Sequence, residues 1–160
     1  MRNIIIHKQP YSDTFLVVIE RQGVTESFIT VSPAPGENLS SVIGRLKGLL
    51  EEQDARVVKF DVFGSIGEFD TLLSSLKNVF GHVDWPITWV EGISCFSHPV
   101  AGFHVHAVSG VAVETIFSDG SPAARVFDDA FTRYCVLGDV SPVLTSVSRE
   151  EQTWNAFITL

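Results

Sequence analysis

The chain has 160 residues, of which 45% are apolar and 19% are charged, and its formal net charge at pH 7 is -8. A chain of this length and composition can bury a substantial core, which excludes a disordered polypeptide. Binding of nucleic acid depends on Lys and Arg side chains that neutralise phosphates, and only 11 are present. We therefore expect no nucleic-acid partner.

No segment suggests a membrane partner. The apolar run near the N-terminus, Ile4 to Ile6, is too short for a signal peptide, and no stretch approaches the roughly 20 apolar residues that span a bilayer. Cys95 and Cys135 belong to no CxxC motif or Cys/His cluster. These features predict a cytoplasmic protein with reduced, buried cysteines and without a metal or cofactor.

Alternating polar and apolar residues open the chain in three segments, 3–9, 14–21 and 24–33, which predict three antiparallel strands. A break at "PAPGEN" follows, and Asn38 is a plausible N-cap for a helix. The apolar residues of this helix recur at helical spacing; they are Leu39, Val42, Ile43, Leu46, Leu49 and Leu50.

The segment "RVVKFDVFG", 56–64, predicts a strand with Val58, Phe60 and Val62 on one face and Lys59 and Asp61 on the other. Ser65 to Glu68 has the spacing of a capping box and predicts the start of a second helix that ends at Gly81. Its apolar stripe repeats the spacing of the first helix; it consists of Phe69, Leu72, Leu73, Leu76, Val79 and Phe80. Matching stripes indicate two helices packed on one face of a single sheet.

Two further strands, "PITWVEGIS" and "AGFHVHAVS", give the order β-β-β-α-β-α-β-β. Alternation places Trp89 and Glu91 on one face of their strand, and His104 and His106 on one face of theirs. The intervening residues Phe103, Val105 and Ala107 suit the helix-covered face. The opposite face of the sheet is too apolar for water, so we expect copies of the chain to cover it by forming a homo-oligomer.

After residue 110 the pattern begins again. "AARVFDD" and "FTRYCVLGDVSP" predict strands, the second ending in the same Val-Ser-Pro as "FITVSP". Ser148 and Glu151 have capping-box spacing, and Trp154, Phe157 and Ile158 begin an apolar stripe. We interpret 1–110 as one whole unit and 111–160 as the strands and first helix of a second unit whose remainder is absent.

Several segments together resemble the RidA family, also called the YjgF or L-PSP endoribonuclease-like family. They are "VVKFDVF" before a helix, "WPITWVEG" leading to "AGFHVHAVSG", and "FTRYCVLGDVSP" with "SREEQTWNAF". The resemblance covers nearly the whole chain, as a divergent full copy followed by a truncated one. It implies a chorismate-mutase-like α+β fold, trimers whose sheets form a central barrel, and ligand sites between subunits.

The resemblance also implies an activity, which is hydrolysis of reactive enamines and imines released by pyridoxal-phosphate enzymes. Relatives hold the carboxylate with an arginine and position water with an acidic residue. Here Ile87 stands at the arginine position and His104 at the acidic one. No alkyl group replaces a guanidinium fork. We therefore expect binding of a small metabolite in an intersubunit cleft, with deaminase activity reduced or absent.

Two alternatives stay open. The chain is an active hydrolase of imines or related small carbonyl compounds if Glu91 or His104 activates water and Arg133 holds an anionic group. A longer tandem protein is the other alternative, in which residues beyond Leu160 supply the arginine.

The candidate ligand residues have structural interpretations as well. Trp89 stacks on a ligand or fills the core, and in the second case Glu91 pairs with a base such as Arg133. His104 and His106 contact a ligand, or bind a metal with His98, or are ordinary hydrogen-bonded strand residues.

Arg133, Tyr134 and Gly138 lie on the strand that runs along the cleft in relatives, where the backbone of a glycine approaches the ligand. By this resemblance Gly138 is the best-matched cleft position, and Thr30 is its counterpart in the first unit. Gly138 is otherwise a turn or bulge residue.

Overall fold

The structure is a computed structural model that describes residues 5–11, 13–21, 23–92, 98–140 and 146–158, with side chains from residue 13 onward. Its described elements, in chain order, are β1 (Ile5–Tyr11), β2 (Thr14–Arg21), β3 (Val24–Val31), α1 (Leu39–Glu52), β4 (Arg56–Gly64), α2 (Phe69–Phe80), β5 (Ile87–Glu91), β6 (Val100–Ser109), β7 (Val113–Ser118), β8 (Ser121–Asp128), β9 (Arg133–Leu137) and α3 (Arg149–Ile158). The predicted α+β class is confirmed.

A six-stranded mixed sheet in the order β1-β2-β3-β6-β4-β5 forms the larger part of the molecule. Strand β5 runs parallel to β4, and the other neighbours are antiparallel. The predicted order of elements up to residue 110 is therefore confirmed.

Helices α1 and α2 pack on the same face of this sheet. Their apolar stripes share one buried cluster with Phe60, Val105 and the other inward residues of the sheet. Asn38 caps α1, since its side-chain oxygen accepts a hydrogen bond of 2.9 Å from the backbone N–H of Ser41. The prediction of two helices on one sheet face is confirmed.

The predicted capping box at the start of α2 is wrong. Ile66–Glu68 form a turn of 3-10 helix, and Ser65 makes no side-chain capping bond there. Helix α2 begins only at Phe69 and ends at Gly81, whose positive φ of 78° suits a residue without a Cβ.

A β-bulge in β4 overturns the predicted facing of Val58. The register shifts between Val57, which pairs with Ala107, and Lys59, which pairs with His106. The extra residue turns Val58 away from the helices, while Phe60 and Val62 stay on the helix-covered face. Val58 therefore lies on the face of the sheet opposite the helices.

The C-terminal part of the chain contributes a three-stranded antiparallel sheet, β7-β8-β9, followed by α3. This order repeats that of β1, β2, β3 and α1. The capping box of α3 is confirmed, because the hydroxyl of Ser148 and the carboxylate of Glu151 bond each other's backbone N–H groups. The apolar stripe of α3 is nevertheless uncovered, with Trp154 and Phe157 each 68% exposed.

The small sheet covers one end of the open face of the large sheet. Phe127 of β8 is buried against Val24, Val58 and Val108, which point away from the helices. At this end the chain covers its own sheet, where the sequence led us to expect a second copy. The opposite end stays open, and Phe15, Phe63 and Val90 are 44%, 40% and 43% exposed there.

The cysteines differ from expectation. Cys135 is a free thiol, but it is exposed on the outer face of β9 rather than buried. Cys95 lies outside the described residues. Within the described ranges, none of the helices is long and apolar enough to cross a membrane.

We predict that Phe127→Ala will lower the free energy of unfolding by about 3 kcal/mol, because it opens a cavity between the two sheets. Urea denaturation followed by circular dichroism measures the change. Phe117→Ala is the matched control, since Phe117 is 57% exposed and its loss should cost less than about 0.5 kcal/mol. Equal effects of the two substitutions would show that the sheets do not pack as described.

Candidate functional site

Trp89 and Glu91 do not line a cleft on the open face of the sheet. Trp89 packs on the helix-covered face, with its ring edge-on to Phe69 at 5.5 Å between centroids. Its indole N–H donates to the carbonyl of Gly64 at 3.1 Å. Glu91 is exposed at the end of β5. Trp89 is thus a packed strand residue with its hydrogen bond satisfied, which supports its structural interpretation.

His104 lies on the opposite face from Glu91, so these two candidate catalytic residues do not come together. Its Nδ1 is 3.7 Å from a carboxylate oxygen of Asp61, whose other oxygen is 3.2 Å from the Nζ of Lys59. Phe28 separates His104 from His106 and stacks on both rings. The two histidines share a face, as predicted, but each has its own carboxylate.

Arg133 lies in an exposed ion pair, which differs from the ligand-binding role predicted for it. Its Nη2 donates to Glu114 at 3.0 Å, and the two side chains are 64% and 68% exposed. The predicted alternative, an ion pair between Glu91 and Arg133, is therefore wrong as well. An exposed ion pair of this kind contributes little to stability and leaves no buried anion site.

His106 belongs to a buried polar network between the two sheets. Its Nε2 is 3.0 Å from an oxygen of Glu26, whose second oxygen is 2.9 Å from Arg21. Arg21 also donates to the hydroxyl of Tyr134 at 3.2 Å, and that hydroxyl donates to Asp129 at 3.0 Å. The network joins β2, β3 and β6 of the large sheet to β9 of the small one.

Glu26 is 6% exposed, and its ionised form is stabilised by its neighbours. The hydrogen bond from His106, with the positive charge of Arg21, outweighs burial and lowers the pKa of Glu26 below its ordinary value of 4.5. Glu26 was missed in the sequence. The available signal was a carboxylate at an inward position of a predicted strand, which must be paired if it is buried.

The same network is sandwiched between aromatic rings. His106 stacks on Phe28 at 4.5 Å, with 9° between the planes, and Phe127 stacks on Tyr134 at 5.0 Å. Phe127 also meets His106 edge-on at 6.4 Å. His106 and Tyr134 are therefore brought together, but as members of a packed junction rather than as the walls of a cavity.

Gly138 does make a close approach, although the group it approaches belongs to the chain. A Cβ placed at Gly138 would meet the side chain of Pro86 at 2.7 Å. Next to it, the backbone N–H of Asp139 donates to the hydroxyl of Thr88 at 3.0 Å. The place predicted for a ligand is thus filled by the residues that lead into β5, and only glycine fits there.

A cleft of about 460 Å³ opens beside this junction, between the ends of the helices and the small sheet. This volume lies within the range of small-molecule sites. Its lining includes Lys47, Leu50, Glu51, Asp54, Arg56, Val57, Phe80, Asp84, Trp85, Val113 and Arg125. None of these residues was a sequence-based candidate.

Arg125 anchors the floor of the cleft. Its side chain is 6% exposed, and Nη1 lies 2.7 Å from a carboxylate oxygen of Asp84. The same Nη1 donates to the backbone carbonyl of Asp84 and to the hydroxyl of Thr115. The signal in the sequence was an arginine between apolar residues at an inward position of "AARVFDD", since a buried guanidinium requires a carboxylate partner.

Among the described residues, no group of three or more His, Cys, Asp or Glu side chains could hold a metal ion. The Nδ1 of His98 lies 2.8 Å from the carbonyl of Val100, in a local contact of its own loop. The proposed help of His98 in binding a metal with His104 and His106 therefore has no support.

No family model and no curated protein match the chain. A solved structure is similar to it, the "putative translation initiation inhibitor from Salmonella typhimurium". The two are 15% identical over 66% of this chain and 97% of that chain, with a TM-score of 0.47. A likeness at this level leaves the family a proposal.

We predict that Glu26→Gln will reduce the acid sensitivity of the fold. A lowered pKa means that the carboxylate contributes stability above its ordinary pKa of 4.5 and that this contribution is lost as pH falls through the lower folded value. The variant should be about 1 to 3 kcal/mol less stable at pH 7. Below pH 4.5 its free energy of unfolding should fall less steeply than that of the unaltered chain.

Urea denaturation at a series of pH values measures both effects. Glu114→Gln is the control, because the side chain of Glu114 is 68% exposed and its ion pair should contribute little. Parallel pH profiles for Glu26→Gln and the unaltered chain would contradict the assignment of a lowered pKa to Glu26.

Proposed function

We propose that the chain is a RidA-like protein that binds a small metabolite at the junction of its two units and has lost deaminase chemistry. The sequence resemblance supports the family assignment, as does the sheet with two helices on one face. The repeated order of three strands and a helix supports the interpretation of 111–160 as part of a second unit. We also propose a cytoplasmic location, because Cys135 is a free thiol and free thiols are typical of reducing compartments.

The main support for lost deaminase activity is the environment of Ile87. It is half-buried and packs against the apolar core beneath the helices. A guanidinium at that place would have to enter this core without a carboxylate partner, at a cost of several kcal/mol. Relatives also have a glycine whose backbone approaches the ligand. At the matching position, Gly138, the side chain of Pro86 occupies that space.

The hydrolase alternative is disfavoured by the positions of its proposed residues. Glu91 and His104 lie on opposite faces of the sheet, and Arg133 is held by Glu114 on the surface of the small sheet. General acid-base catalysis requires such groups within hydrogen-bond reach of one substrate.

The cleft that ends at Arg125 supports a binding function in place of catalysis. It joins the two units within a single chain, where the resemblance implies sites between subunits. A buried, paired guanidinium and apolar walls formed by Leu50, Val57 and Phe80 provide both a polar contact and apolar surface for a small molecule.

We predict that the chain will not accelerate hydrolysis of freshly generated iminopyruvate, because it lacks a guanidinium at the position of Ile87. Release of ammonia, followed in the presence and absence of the protein, measures this activity. Arg133→Ala should behave like the unaltered chain. Acceleration that Arg133→Ala removes would instead support the hydrolase alternative.

We also propose that the uncovered end of the large sheet associates with further copies of the chain, most simply in a trimeric or pseudo-trimeric assembly. Phe63 and Val90 are directly paired neighbours on β4 and β5, and both point away from the helices. Together with Phe15 they leave an apolar surface that the small sheet does not reach. Burial of such surface is the ordinary driving force of association.

We predict that Phe63→Glu will shift the chain from oligomer to monomer in sedimentation velocity, since a charge on this surface would be desolvated on association. Phe131→Glu is the matched control, because Phe131 is 64% exposed in the loop after β8, and it should leave the sedimentation unchanged. A compact monomer at all concentrations of the unaltered chain would contradict the assembly.

A further inference from the structure

Two residues that line the cleft each carry a buried N–H group without an acceptor. The indole N–H of Trp85 and the Nε of Arg125 have no hydrogen-bond partner among the described residues. Both residues line the cleft and are only 7% and 5% exposed. A buried donor without a partner costs about 1 to 3 kcal/mol, so each of these groups requires an explanation, and a bound molecule that accepts the hydrogen bond is one.

The two edges of the Arg125 guanidinium differ in their hydrogen bonds. Its contacts with Asp84 and Thr115 are all made by Nη1. The edge that carries Nε is therefore not used by Asp84. Guanidinium has five N–H donors in a planar fork and can hold a carboxylate on each of two edges.

The charges around the cleft are balanced, so the missing chemistry is indicated by the groups that lack a partner. Three cations, Lys47, Arg56 and Arg125, face three acids, Glu51, Asp54 and Asp84. Among the cleft residues, two buried side-chain donors lack a partner, and every buried side-chain acceptor has one. The unmet requirement is for hydrogen-bond acceptors. One of the three cations, Arg56, is exposed and is therefore accessible to a bound anion.

The remaining lining is apolar. Leu50 and Val57 are 4% exposed, Phe80 packs edge-on to Trp85 at 5.2 Å, and Val113 adds an aliphatic wall from the small sheet. An inorganic anion would leave this surface without contact. An organic acid would place its apolar body there.

We propose that this cleft binds a small organic carboxylate, whose oxygens accept hydrogen bonds from the Nε of Arg125 and the indole N–H of Trp85. The inference rests on the proposed function and specifies its ligand. The site is distinct from the position of Ile87, which does not line the cleft. Because Arg125 and Val113 come from the second unit, the site exists only when the small sheet is docked.

The test is a titration of the ¹⁵N-labelled chain with benzoate, observed through the three tryptophan indole N–H signals. Formation of a hydrogen bond should move the Trp85 signal downfield in a saturable manner. Trp89 already donates to Gly64, and Trp154 is 68% exposed on α3, so their signals should stay in place. Benzyl alcohol, a neutral ligand of similar shape, should not move the Trp85 signal.

Trp85→Phe assigns the signal and tests the contact, because it keeps an aromatic ring against Phe80 and removes only the N–H donor. We expect about a tenfold weaker affinity for benzoate, which corresponds to the loss of one hydrogen bond to a charged group. Trp154→Phe is the matched control and should leave the affinity unchanged. Equal affinity of Trp85→Phe and the unaltered chain would overturn the inference.

The outcomes also separate this inference from the proposed function. If benzoate and benzyl alcohol both shift the methyl signals of Leu50, Val57 and Val113 but leave the Trp85 indole unmoved, the cleft binds small molecules without recognising a carboxylate. That result overturns the inference and preserves the proposed function. If neither compound shifts any of these signals, a trapped water is the partner of the two donors, and both proposals fail.

Discussion

The insertion of Phe127 between the two sheets is the contact on which the rest of the molecule depends. One face of the large sheet is covered by α1 and α2, and the other is left with apolar residues such as Val24 and Val108 that water disfavours. Phe127 covers these residues from the small sheet. Once it is placed, the neighbouring residues of β8 and β9 have little freedom, and the polar network at His106 and the ion pair at Arg125 form on either side of it.

The polar contacts form because of this packing, and they determine the orientation of the small sheet on the large one. Apolar burial alone would allow the small sheet to slide or rotate on the large one, because dispersion and the hydrophobic effect are not directional. Buried charges oppose such movement. A shift that separates Glu26 from His106, or Arg125 from Asp84, is destabilising because it leaves a buried charge without its partner. The two ion pairs therefore fix a single orientation, and the cleft beside Arg125 acquires a defined shape.

Much of the fold up to residue 110 could be predicted because its elements are locally consistent. The helical stripes of α1 and α2, the N-cap at Asn38 and the alternation that placed His104 and His106 opposite Phe103 all depend on residues close in sequence. The errors arose where contacts between residues distant in sequence determine the structure. The bulge that turns Val58 outward is stabilised by Phe127, and no local pattern contains that information. The exposure of Cys135 likewise depends on which face of the small sheet docks.

The candidate site was harder to predict for the same reason. The family resemblance directed attention to Glu91, Arg133 and Gly138 through short motifs, whereas the chemistry of a site depends on which side chains meet in space. Arg125 and Trp85 are separated by 40 positions; Arg125 lies on β8, and Trp85 lies between α2 and β5. Their only sequence signature was a polar group at a position destined for burial. Such a residue must find a partner on another element, so an unexplained buried donor is a better indicator of a site than a short motif that resembles a known family.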